Sequence, residues 1–182
     1  EPINYIDKSK LTKEEIEKYN QTGEEIIRKG KYAVITMAGG QGTRLGHNGP
    51  KGTFDIGLDS HKSIFEILLD TLKYASEKYG STIQWYIMTS RENNSQTENF
   101  FKENNYFGYD KNAITFFKQG ELPMCDEQGK IIIGEDGLIK EAADGHGGIF
   151  ESLRRNGIIY DMESKGIEWA FIGPVDNVLA NM

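Results

Sequence analysis

A chain of 182 residues with 37% hydrophobic content, nine Phe, nine Tyr and two Trp can bury a core and is too apolar for a disordered chain. Its 21 Lys and Arg against 28 Asp and Glu leave a net charge of −7 without long like-charge blocks, which excludes a surface built to coat nucleic acid. One cysteine, Cys125, excludes an internal disulfide, and no apolar run approaches the roughly 20 residues of a membrane span. The first residues also lack the basic and apolar regions of a secretion signal, so a cytoplasmic, reduced setting is expected, with no membrane partner.

Residues 11–30 carry two capping-box patterns, Thr12-x-x-Glu15 and Thr22-x-x-Glu25, each a helix start, and Gly30 is placed to end a helix. Residues 1–30 are therefore read as a charged helical leader and residues 31–182 as the core domain. Tyr32–Met37 is short, apolar and β-rich, like a strand buried on both faces. A loop with four glycines follows at once. Ser63-x-x-Glu66 predicts a helix to about Tyr79, with Ile64, Leu68, Leu72 and Ala75 on one face and Gly80 as its stop. A second strand is expected over Ile83–Met88, a helix from Ser95-x-x-Glu98 through Phe101, and a third strand over Ile114–Phe117. Gln128-Gly129 and Asp136-Gly137 are turn signals around short apolar runs, which predicts hairpins inserted after the third strand. A second glycine cluster, Asp144–Gly148, leads into Ile149–Leu153. A helix over 158–166 and a strand over Glu168–Ile172 complete the pattern, with Val175-Asp-Asn177 beyond it.

Strands alternating with helices imply an α/β fold with a mostly parallel sheet, whose ligands bind beyond the carboxyl ends of the strands. The glycine loop, Thr89-Ser90, and Gln119-Gly120 all fall there. In the loop Met37–Gly46, Gly39, Gly40, Gly42 and Gly46 allow close backbone approach, bare N–H groups make an anion nest, and Arg44 and Lys51 add cations. This pattern reads as a phosphate cradle. It is not a Walker A loop, because Pro50 precedes Lys51 and Gly52 follows it. Nor is it a dinucleotide fingerprint, because the spacing from Gly40 is one residue too long. Asp176 reads either as a Mg²⁺ ligand or as a turn residue. Gln119 could read a base edge or simply be solvated. His146 is equally compatible with ligand contact and an exposed loop. His47 and His61 are read as surface residues, and Trp85, Tyr86, Phe100, Phe101, Phe116 and Phe117 as core.

Five blocks in order resemble the UDP-sugar pyrophosphorylase family. They are Ala38–Gly46 with Pro50-Lys-Gly52, Trp85–Ser90, Phe116–Pro123, Asp144–Gly148 and Val175–Asn177. The resemblance runs from about Tyr32 to Asn177 and is nearest to the members that act on N-acetylglucosamine. It implies a Rossmann-like nucleotidyltransferase core that makes a UDP-sugar and pyrophosphate from UTP and a sugar 1-phosphate. It further implies Arg44 and Lys51 as catalytic cations on the triphosphate, and Ala38, Gly39, Gly40, Gly42, Thr43, Gln119, Gly145 and His146 around the nucleotide. Asp176 would bind Mg²⁺. Two positions depart from the N-acetylglucosamine pattern. Lys118 stands where those enzymes usually have Gln, and His146 where they usually have Asn, as the glucose enzymes have His. Glucose 1-phosphate is thus an alternative substrate. Family members continue past the Val-Asp-Asn block, so a C-terminally truncated fragment is expected, and a non-catalytic UTP-binding fragment is a second alternative. The full-length protein is expected to be a monomer, with self-association open to the fragment.

Overall fold

In the computed structural model the described residues are 6–178. The apolar runs become the strands β1 (Tyr32–Met37), β2 (Gln84–Thr89) and β3 (Ile114–Lys118) of one sheet, joined at its other side by β6 (Trp169–Pro174). The order is β3-β2-β1-β6 and every pairing is parallel. Between them lie α2 (Ile64–Tyr79), α3 (Asn94–Glu103), α4 (Ile149–Arg155) and α5 (Ile158–Ser164). The short strands β4 (Glu121–Pro123) and β5 (Glu141–Ala143) pair antiparallel outside that sheet.

Alternate residues along the central strands feed two cores, as the pleat requires. On one face Val34, Trp85 and Ile87 pack with Ile64, Phe65, Leu68, Leu69 and Leu72 of α2 and with Phe101 of α3. On the other, Ala33, Ile35, Tyr86 and Met88 meet Ile149 and Leu153 of α4 and Ile158 of α5. Burial on both sides is why these strands read as continuous apolar runs. Strand β6 differs. It stands at an edge of the sheet among the described residues, and Trp169 is 61% exposed.

The capping box at Ser63 forms as expected: Ser63 Oγ accepts from Glu66 N–H and Glu66 Oε2 accepts from Ser63 N–H. The leader corrects one expectation. A single helix, α1 (Lys13–Arg28), is capped by the Thr12–Glu15 box, and Thr22 lies in its middle with its hydroxyl donating to Lys18 O at 2.9 Å. A capping side chain acts where first-turn N–H groups are free, and those after Thr22 are already bonded inside the helix. Helix α3 likewise starts at Asn94, so Ser95 is not its cap. Both turn signals of the insertion hold. Gly129 and Gly137 adopt φ of +78° and +76°, and bridges Cys125 to Ile131 and Ile133 to Ile139 flank them. Among the described residues no helix is long and apolar enough to cross a membrane.

Candidate active site

The hydrogen-bond ladder of the sheet runs one residue past β1, β3 and β6. Ala38 N–H donates to Met88 O at 2.7 Å, Gln119 N–H to Thr89 O at 2.8 Å, and Val175 N–H to Met37 O at 3.0 Å. The loops that follow β1, β3 and β6 are thereby fixed side by side at the carboxyl edge. They enclose a cleft of about 340 Å³, inside the range of roughly 300–1,000 Å³ usual for small-molecule sites. Gly39, Gly40, Arg44, Lys51, Gln119, Gly145, His146 and Asp176 line it, with Met37, Met88, Pro174 and Val175 as apolar floor. Three residues named from sequence do not line it. Ala38 is buried, Gly42 is buried against His47, and Thr43 is exposed in the short turn Thr43–Leu45.

The glycine loop is folded back on itself. Gly42 N–H donates to Gly49 O at 2.8 Å and Lys51 N–H to Gly40 O at 3.0 Å. The ring of His47 fills the interior of this fold: a Cβ on Gly42 would lie 2.8 Å from it, and its Nε2 is 2.8 Å from Thr53 Oγ1. His47 is therefore a partly buried strut, which corrects its reading as a surface residue. His61 is exposed and pairs with Asp55. Gly52 presses on the core, where a Cβ would sit 2.2 Å from the Phe65 ring. That contact seats the lysine before it, and Lys51 Nζ reaches Asp176 Oδ2 at 3.0 Å. The ammonium holds the Asp176 carboxyl below the ordinary carboxylate range.

Across the cleft the Gln119 amide abuts Gly39, whose Cβ, if present, would be 2.4 Å from Gln119 Oε1. The turn that brings Gly145 and His146 in is set by Asp144, whose carboxylate occupies a niche between Gly120 and Gly148 that either Cβ would close to 2.2 Å. Gly120 N–H is held by Ser152 Oγ at 3.0 Å. Gly145 takes φ +81°, the region glycine favours.

The family model described as UTP–glucose-1-phosphate uridylyltransferase matches residues 2–182. The chain belongs to that family. It is 44% identical over 168 residues to the UDP-N-acetylglucosamine pyrophosphorylase of Saccharomyces cerevisiae, covering 90% of this chain and 35% of the yeast protein. It is 41% identical over 182 residues to UDP-N-acetylglucosamine diphosphorylase 2 of Arabidopsis thaliana, covering 94% and 36%. The crystal structure of the UDP-N-acetylglucosamine pyrophosphorylase from Trypanosoma brucei with an inhibitor superposes with a TM-score of 0.83 at 34% identity, over 93% of this chain and 36% of that one. The α/β nucleotidyltransferase-like fold is thus shared, and the chain spans little more than a third of the length of these relatives.

Two further residues brace the segments around this cleft without lining it, and neither had a signal in the sequence. Asn93, 0% exposed, donates from Nδ2 to Ala38 O at 2.9 Å and to Gly40 O at 3.3 Å, joining the β2–α3 turn to the glycine loop. Arg91 reaches Glu121 at 3.0 Å and Glu141 at 2.9 Å, tying together the two feet of the inserted hairpins. A lone Asn and a lone Arg in a polar turn carry no periodicity or spacing, so only the folded chain reveals them.

Proposed function

We propose that this chain binds UTP in the cleft and forms the nucleotide part of a uridylyltransferase that makes a UDP-N-acetylhexosamine and pyrophosphate from UTP and an N-acetylhexosamine 1-phosphate. The observation that carries the reading is the Gln119 amide, set against Gly39 in the same cleft as Arg44 and Lys51. A primary amide pairs a donor with an acceptor, as the edge of uracil does. Gly39 and Gly40 allow the base and ribose to lie close to the backbone. Gly145 and His146 close the opposite wall. The names of the yeast and plant relatives support the N-acetylglucosamine substrate.

The chemistry asks little of the protein beyond placement and charge. An oxygen of the sugar phosphate attacks the α-phosphorus of UTP, a new P–O bond forms, and the bond to the β-phosphate oxygen breaks. Pyrophosphate leaves with that electron pair. The nucleophile is already anionic, so no general base is needed. Arg44 and Lys51 offset the repulsion between the two anions and hold them in line. Among the described residues no cluster of three or more His, Cys, Asp or Glu could cage a metal. A single carboxylate, Asp176, together with substrate phosphates matches the way Mg²⁺ is held in nucleotide sites. When bound, that ion supplies positive charge at the phosphate oxygens.

The test is a UTP titration of the chain, followed by an assay for pyrophosphate with Mg²⁺ and N-acetylglucosamine, galactose or glucose 1-phosphate in turn. Preference for the first sugar supports the reading, whereas absence of UTP binding refutes it. The glucose arm matters because His146 lines the cleft. A second reading is UTP binding without turnover. Binding with no pyrophosphate from any sugar phosphate selects it.

A further inference from the structure

We infer that Asn93 is a positioning residue that turns the Gly39 N–H into the cleft as a hydrogen-bond donor to the nucleotide. The inference rests on the proposed UTP binding and names the group that shapes it. Peptide units are planar, and in the trans form the C=O and N–H of one unit point in opposite directions. No cis bond occurs among the described residues. The Ala38 carbonyl shares its peptide unit with the Gly39 N–H, so whatever holds that carbonyl also aims that N–H. What holds it is Asn93 Nδ2, at 2.9 Å, from a site with no solvent access. Gly40 O is drawn to the same amide at 3.3 Å and also accepts the Lys51 N–H at 3.0 Å.

The amide of Asn93 has one orientation open to it. Its Oδ1 accepts the Ser90 N–H at 2.9 Å, and its own main-chain N–H donates to Ser90 Oγ at 3.1 Å. Nδ2 is left facing the two carbonyls. Both are therefore drawn towards the β2–α3 turn, and the Gly39 N–H points away from it, on a residue that lines the cleft. Among the described residues no main-chain carbonyl accepts that N–H. A main-chain donor on an anion-binding loop is what a phosphate or a base carbonyl needs.

Asn93→Asp keeps the shape and replaces the donor with an acceptor opposite two carbonyl oxygens. UTP titrations of the ¹⁵N-labelled chain and this variant are followed by calorimetry, thermal melts and amide NMR. The expected result is a UTP affinity lower by about tenfold or more, the loss of roughly one charge-assisted hydrogen bond. The Gly39 resonance should shift with UTP in the unaltered chain and stay still in the variant, while the Gln119 side-chain amide shifts in both. A merely structural Asn93 would lower the melting temperature without singling out Gly39. If the variant does not fold, the unaltered chain decides: its Asn93 side-chain NH₂ must be protected from solvent exchange and Gly39 must respond to UTP. UTP binding with a silent Gly39, or equal affinity in the folded variant, overturns this inference alone. No UTP binding by the unaltered chain overturns it together with the proposed function.

Discussion

Gly39 and Gly52 are glycines for what stands opposite them, since neither has a positive φ. At Gly39 the obstacle is the far end of Gln119, 2.4 Å from the missing Cβ, which can swing aside. Gly39→Ala is therefore expected to leave the melting temperature within a few degrees and to lower UTP affinity by about tenfold as the amide is displaced. Calorimetry beside a thermal melt reads both, and unchanged affinity would detach Gln119 from the site. At Gly52 the obstacle is the Phe65 ring in the core, 2.2 Å away. Gly52→Ala overpacks that core and should cost about 1–3 kcal/mol, read as a lower denaturation midpoint. The loop's glycines and cations were legible in sequence because their chemistry is written in the residue types themselves. Its scaffold was not. His47 and Asn93 act through contacts with residues up to 55 positions away, and neither type announces whether it will face solvent or the backbone of another loop.

At the scale of elements, local signals served where they governed the local fold and misled where they did not. Thr12 and Thr22 begin the same four-residue pattern, yet one caps α1 and the other sits inside it, because what decides is whether the preceding turn is already helical. Helix α4 offers a pH test. Arg154 and Arg155 hold the Glu151 carboxyl down from 4.5 to about 2. A depressed folded-state pKa means that its contribution to stability is complete above the unfolded value near 4.5 and is lost as pH falls toward 2. Carboxyl NMR should therefore show Glu151 ionised through pH 4. In Glu151→Gln the stability lost between pH 4.5 and 2 should be smaller than in the unaltered chain. The same helix carries Ser152, whose hydroxyl anchors the Gly120 N–H in the segment next to Gln119.

For the whole molecule, the alternation of strands and helices foretold a parallel sheet and the edge at which its cleft lies. It did not foretell the order β3-β2-β1-β6, which depends on packing between segments far apart in the chain. Nor did it foretell how the hairpin insertion is attached. Arg91, 69% exposed, spans both feet, and exposed ion pairs contribute little each. Arg91→Ala is accordingly expected to leave the global melt nearly unchanged while hydrogen exchange at β4 and β5 amides speeds up several-fold. Exchange rates equal to those of the unaltered chain would show the feet held by their strand pairing alone.

The ladder that runs past β1, β3 and β6 into the loops has a consequence for how the cleft ages and fails. Because Met37, Met88 and Pro174 are strand residues and Val175 is a rung of the ladder, the floor of the cleft is not a surface resting on the sheet but the sheet's own terminal course. It inherits the sheet's cooperativity: heat or denaturant cannot loosen the floor piecemeal while the lattice beneath stays whole. Loss of ligand affinity at the floor and loss of the central strands should then coincide in a single transition, leaving the hairpins, which stand outside that lattice, free to fray first.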